Sequence, residues 1–144
     1  MAEFTVPYQA GTLMAIDYVN GMERGRYSLE TAKKSTTLDV KMDKEVLFAN
    51  GQDLCYLNVT LCDENGKTNH QEIKQITVSV DGAGKLQGLG SSNPSNEEDY
   101  FDRCCNTFDG DAMACVRAGH EVGTITVTIS ANGCEDVVRK IEVR

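Results

Sequence analysis

The sequence predicts an all-β fold: a two-sheet sandwich preceded by a smaller β-hairpin unit. Three observations carry this expectation. Helix periodicity is nearly absent along the 144 residues. Short apolar–polar alternations recur at close spacing, and Asn-Gly and Asp-Gly pairs punctuate them, which is the pattern of a sandwich or barrel. The chain is also long enough for one domain with a proper core, or one and a fraction.

Phe4 to Tyr8 reads as a short extended piece interrupted by Pro7, tolerable only at an edge or bend. Thr12 to Val19 is apolar on both faces, with Leu13 and Ala15 on one and Met14, Ile16 and Tyr18 on the other. Asn20-Gly21 is the strongest short hairpin signal in the chain, returning it through Met22 to Thr31. These segments, about three strands over residues 1–34, are too few to bury their own faces. An apolar face with an unpaired edge invites pairing between chains, so self-association through residues 12–31 is expected.

Ala32-Lys33-Lys34-Ser35 reads as a linker, and the charge changes there. Residues 1–34 carry four basic and four acidic side chains, whereas residues 35–144 carry ten basic and eighteen acidic. Thr37 to Met42 then alternates, with Leu38, Val40 and Met42 inward. Asn50 to Asp53 turns the chain, and Cys55, Leu57, Val59 and Leu61 form the next inner face. After a turn at Asp63 to Lys67, Ile76, Val78 and Val80 face inward up to Asp81-Gly82. Lys85 to Leu89 is a fourth strand and Ala112 to Arg117 a later one. Gly123 to Ala131 alternates most cleanly, and Asn132-Gly133 closes a last hairpin into Asp136 to Val143. Seven or so strands in residues 37–144 is an immunoglobulin-like count, so residues 35–144 are expected to be the sandwich domain.

Composition excludes several classes. A net charge of −8 with no basic patch argues against nucleic acid. No apolar run approaches the ~18 residues of a membrane span, so no membrane is expected as partner. The N-terminus lacks the basic and apolar regions of a signal peptide. The six cysteines (Cys55, Cys62, Cys104, Cys105, Cys115, Cys134) include no Cys-x-x-Cys pair. Three disulfides would allow fifteen connectivities, but free thiols, several of them buried, are the preferred reading, and they lean towards a reducing, cytoplasmic setting.

The stretch from Gly84 to Thr128 is the one the chain is organised around, yet it offers no nucleophile–base pair, metal spacing or phosphate loop. His70 and His120 fall in turn-like segments without a triad partner. Glu97-Glu98-Asp99 with Asp102, Asp109-Gly110-Asp111, and Asp63 to Gly66 do not match a calcium loop and read as solvated acids or turns. No catalytic, cofactor-binding or metal-ligating residue is assigned. Asn93, Glu98, Tyr100 and Phe101 in the acidic loop are the only candidate sugar or domain contacts.

Residues 37–144 resemble the bacterial immunoglobulin-like domain at the C-terminal end of glycoside hydrolase family 2 enzymes of the β-galactosidase type. The resemblance is carried by Asn50 to Leu54 with Tyr56 and Val59, Asp63 to Gly66, Val80 to Gly84, and Gly88 to Gly90 with Asn93-Pro94. Tyr100-Phe101, Phe108-Asp109-Gly110 and Gly123 to Ile125 continue it. Residues 4–32 resemble the end of a preceding immunoglobulin-like module, with Ala10-Gly11 and Ala32-Lys33 departing from the usual pattern. The resemblance implies a non-catalytic accessory domain whose partner is an upstream catalytic barrel, because the family's two catalytic glutamates lie in that barrel. The alternatives are a carbohydrate-binding module and an adhesin-type immunoglobulin-like repeat.

Overall fold

A computed structural model describes residues 3–144. The chain divides into two compact units, Met1–Ala32 and Lys33–Arg144.

The first unit is a hairpin of β1 (Thr12–Val19) and β2 (Met22–Glu30). Asn20 and Gly21 both take positive φ, 52° and 78°, the turn geometry whose twist matches that of paired strands. Phe4 to Tyr8 forms no strand, so the described part of this unit has two strands rather than about three. Pro7 lacks the N–H that a strand ladder needs. The register makes the hairpin two-faced. Leu13 lies opposite Leu29, Ala15 opposite Tyr27 and Val19 opposite Met22 on one side. The other side alternates Met14, Ile16 and Tyr18 with Ser28, Arg26 and Glu23, and there Arg26 pairs with Glu23 at 2.9 Å. Every residue of both strands is exposed.

The second unit is the sandwich. One sheet has four strands in the order β3 (Thr37–Met42), β5 (Leu54–Cys62), β9 (Asp111–Ala118), β7 (Gly84–Gly90). The other has five, in the order β4 (Val46–Leu47), β11 (Val137–Val143), β10 (Gly123–Ala131), β6 (Gln75–Gly82), β8 (Cys104–Asn106). All pairings are antiparallel except β4 with β11. The bounds of β3 and β10 coincide with those expected from alternation. Nine strands stand where seven or so were expected. The two additional ones, β4 and β8, have two and three residues, too short to show a period in sequence.

The core is the sum of the two inner faces. Cys55, Leu57, Val59 and Leu61 on β5 are fully buried, as are Ile125, Val127 and Ile129 on β10. Ala112, Ala114 and Ala118 keep the β9 face shallow, which leaves room for the leucine and isoleucine side chains packed around them. Met42 and Val80, expected inside, are only partly buried at the core margin.

Of the expected linker Ala32 to Ser35, residues 33–35 belong to the sandwich unit. Ser35 is fully buried. The Lys33 N–H donates to Asp63 Oδ2 at 3.0 Å and the Ser35 N–H to Glu72 Oε2 at 2.7 Å. Asn69 Nδ2 donates to the Lys33 carbonyl at 2.8 Å. The ammonium of Lys74, only 9% exposed, donates to the carbonyls of Ser35 (2.9 Å) and Asn132 (2.7 Å). Polar composition suggested a free segment, but these polar groups are spent on fastening it.

Candidate functional site

Two regions of the sandwich surface merit description as sites: the acidic loop after β7, and a groove at the opposite end of that strand.

The loop from Asn93 to Asp102 is held by its own side chains. Asn93 Oδ1 accepts the Ser95 N–H at 3.0 Å, Asn96 Oδ1 that of Glu98 at 3.0 Å, and Asp99 Oδ1 that of Phe101 at 2.9 Å. Each bond closes a local turn of the kind short polar side chains favour. The Glu98 carboxylate faces β8, accepting the Asn106 N–H at 3.0 and 3.1 Å and the Asn106 amide. The Tyr100 carbonyl accepts the Leu89 N–H at 2.8 Å, and its ring lies over Gly90, where a Cβ would stand 2.5 Å from Cδ1 and Cε1. Phe101 stays 78% exposed. The four residues singled out in sequence therefore do different things. Asn93 and Glu98 organise backbone, Tyr100 packs with half its surface exposed, and Phe101 alone projects into solvent.

The groove has a volume of about 570 Å³ and a glycine-rich wall: Gly51, Gly82, Gly84 and Gly119, with Lys85 and Arg117 beside them. These glycines are required by close approach. A Cβ on Gly84 would meet Ile125 Cδ1 at 2.4 Å and the Arg117 carbonyl at 2.6 Å, and one on Gly51 would enter the His120 ring. His120 is thus a packing residue of this end of the sandwich. Lys85 and Arg117 are directly opposed across the β7–β9 ladder. Glu121 lines the same groove, and among the described residues no ion pair joins it to either cation. Sequence reading missed this groove because the strand register that juxtaposes the two cations is a tertiary fact. The closely spaced glycines at 82 and 84 were the one available signal.

The other candidates resolve into structure. Asp63 accepts the N–H groups of Lys33, Asn65 and Lys67, and these bonds, that of Lys33 foremost, hold its carboxyl below the usual carboxylate range. Asp109 and Gly110, both at positive φ, form a two-residue turn between Phe108 and Asp111. His70 Nδ1 lies 2.9 Å from the Asp109 carbonyl oxygen and is otherwise exposed. All six cysteines are free, with Cys55, Cys62 and Cys105 buried. Burial pushes the Cys55 and Cys105 thiols up to about 11. Among the described residues, no group of three or more His, Cys, Asp or Glu side chains forms a metal-sized cluster, and no helix is long and apolar enough to cross a membrane.

The two sheets packed face to face make the second unit an immunoglobulin-like β-sandwich domain. Residues 38–139 match the model of the glycoside hydrolase family 2 C-terminal domain 5, and the chain belongs to that family. It is 26% identical over 136 residues to Beta-galactosidase BoGH2A from Bacteroides ovatus, a match covering 94% of this chain and 16% of that protein. Two crystal structures of glycosyl hydrolase family 2 members from Bacteroides cellulosilyticus are similar to it. One has a TM-score of 0.83 and 29% identity over 96% of this chain and 18% of theirs. The other has a TM-score of 0.81 and 30% identity over 94% and 19%. The chain therefore spans less than a fifth of the length of these relatives.

Proposed function

We propose that this chain acts as a non-catalytic, structural domain of a larger glycoside hydrolase of the β-galactosidase type, steadying the catalytic region or its subunit contacts. The observation that carries the reading is the match of residues 38–139 to a C-terminal domain of family 2 enzymes, alongside relatives more than five times as long. Two features of the chain support it. Among the described residues, many of its carboxylates are engaged in turns and strand ends, as Asp63, Glu72 and Glu98 are, or lie in exposed loops. The groove is open to solvent, and Gly51, Gly82, Gly84 and Gly119 make up much of its lining.

In this reading the residues before β3 belong to a further β-module of the same polypeptide, and the partner is an upstream catalytic barrel. The test compares this chain with a longer polypeptide that joins it to its catalytic region. The chain alone is expected to leave aryl β-galactosides unhydrolysed. Removal of residues 33–144 from the long form is expected to lower its melting temperature while leaving kcat per folded molecule unchanged. Hydrolysis by the chain alone would overturn the reading. So would retardation of the chain in gels containing β-linked polysaccharide, which is the behaviour of a carbohydrate-binding module.

A further inference from the structure

We propose that the groove beside Lys85 and Arg117 receives the acidic loop of a second copy of this chain. Glu97 and Asp102 face the two cations, and Phe101 lies on the glycine wall. The proposal stands on surface geometry and holds whether or not the domain serves a hydrolase.

Like charges directly opposite on a ladder repel, and an antiparallel sheet ordinarily places opposite charges there. Lys85 and Arg117 are such a like-charged pair. Among the described residues neither has an ion-pair partner, although the sandwich carries eighteen acidic side chains against ten basic over residues 35–144. The arrangement is relieved by an anion arriving from outside, and the guanidinium of Arg117 is suited to a carboxylate. Beside the pair the wall consists of Gly82, Gly84 and Gly119, so an aromatic ring can lie against backbone there.

The loop carries the matching set. Glu98 is committed to Asn106 and Asp99 to the Phe101 N–H. Glu97 and Asp102 are exposed and without an ion-pair partner among the described residues. Between them stands Phe101, the most exposed aromatic of the sandwich unit. Two unpaired carboxylates beside an exposed ring thus meet two cations beside a glycine wall, in a groove whose own carboxylate, Glu121, forms an ion pair with neither cation among the described residues. One chain does not close this contact on itself. The loop is pinned to β7 at Leu89 through the Tyr100 carbonyl, four residues from Lys85, or about 13 Å along an extended strand. The contact joins different surfaces of the two copies: made reciprocally it closes a two-fold dimer, and made once it extends head-to-tail into short chains or a ring. Its small area places it with weak, transient interfaces.

Sedimentation velocity of the chain at low and high salt is the test. Concentration-dependent association is expected at low ionic strength, weakened about tenfold or more by 0.5 M salt, since exposed charges are then screened within a few ångströms. The double variants Lys85→Glu/Arg117→Glu and Glu97→Lys/Asp102→Lys are each expected to be monomeric, with wild-type circular dichroism. Mixing the two is expected to restore a heterodimer. A wild-type chain that stays monomeric at low salt overturns the proposal. So does association that persists in either double variant or in high salt, because it then runs through another surface such as the apolar face of the β1–β2 hairpin.

Discussion

At the scale of single residues, close packing and burial decide what this chain tolerates. Gly84 is closed in by Ile125 and by the Arg117 carbonyl. Gly84→Ala is therefore expected to overpack the β6–β7 corner and cost about 2 kcal/mol, read as a lower urea midpoint. Cys55 and Cys105 are buried thiols raised from the ordinary 9.0 to about 11 by desolvation. Both are expected to resist iodoacetamide at pH 8 in the native protein and to react once it is unfolded, which peptide mass spectrometry resolves. Their raised values also set a sign: the folded chain holds these protons more tightly than the unfolded one. Stability contributed by the neutral thiols is complete below about pH 9 and declines as pH rises towards 11, visible as an earlier thermal transition in alkaline buffer. The types of these residues were legible in the sequence. Which glycine meets which side chain was not, because the neighbours come from strands 30 to 70 residues away in number.

At the scale of elements, the segment before β3 shows how a polar stretch becomes structure. Lys74, Glu72, Asp63 and Asn69 come from the connection between β5 and β6, and all reach back to Lys33 and Ser35. Lys74→Met keeps the stem and removes the ammonium, leaving two carbonyls without their donor. It is expected to cost about 2 kcal/mol, measured by denaturant unfolding. Asp63 and Glu72 are both held below ordinary carboxylate values, first by the backbone N–H of Lys33 and of Ser35 respectively. Depressed carboxylates stabilise the fold fully above their unfolded values, and that contribution is lost as pH falls through the folded ones. Below about pH 4 the amides of residues 33–36 are accordingly expected to exchange faster than those of β5. The alternating strands were readable in sequence because one face of each is buried. Ala32 to Ser35 read as linker, because composition does not reveal where a hydrogen bond goes.

At the scale of the whole molecule, stability is divided between the units. The sandwich holds one contiguous core drawn from both sheets. The hairpin of β1 and β2 has no buried side chain, and a two-stranded hairpin is marginal by itself in water. Amides of β1 and β2 are expected to exchange within seconds to minutes under conditions where β5, β9 and β10 stay protected for hours or longer, as hydrogen-exchange mass spectrometry can show. A hairpin protected to the same degree as the sandwich strands would contradict this division.

What the sequence determined by itself was the all-β class, most strand positions and the sandwich, because a period of two with turn residues between is a local property of the chain. It also carried the family signature, in turns such as Asn50 to Leu54 and Phe108 to Gly110. Only the tertiary structure decided the rest. Strand register set Lys85 against Arg117, close approach turned scattered glycines into the wall of a groove, and long-range hydrogen bonds drew Ser35 inside. Each of these depends on residues distant in the chain meeting at one place, and a one-dimensional pattern records no such meeting.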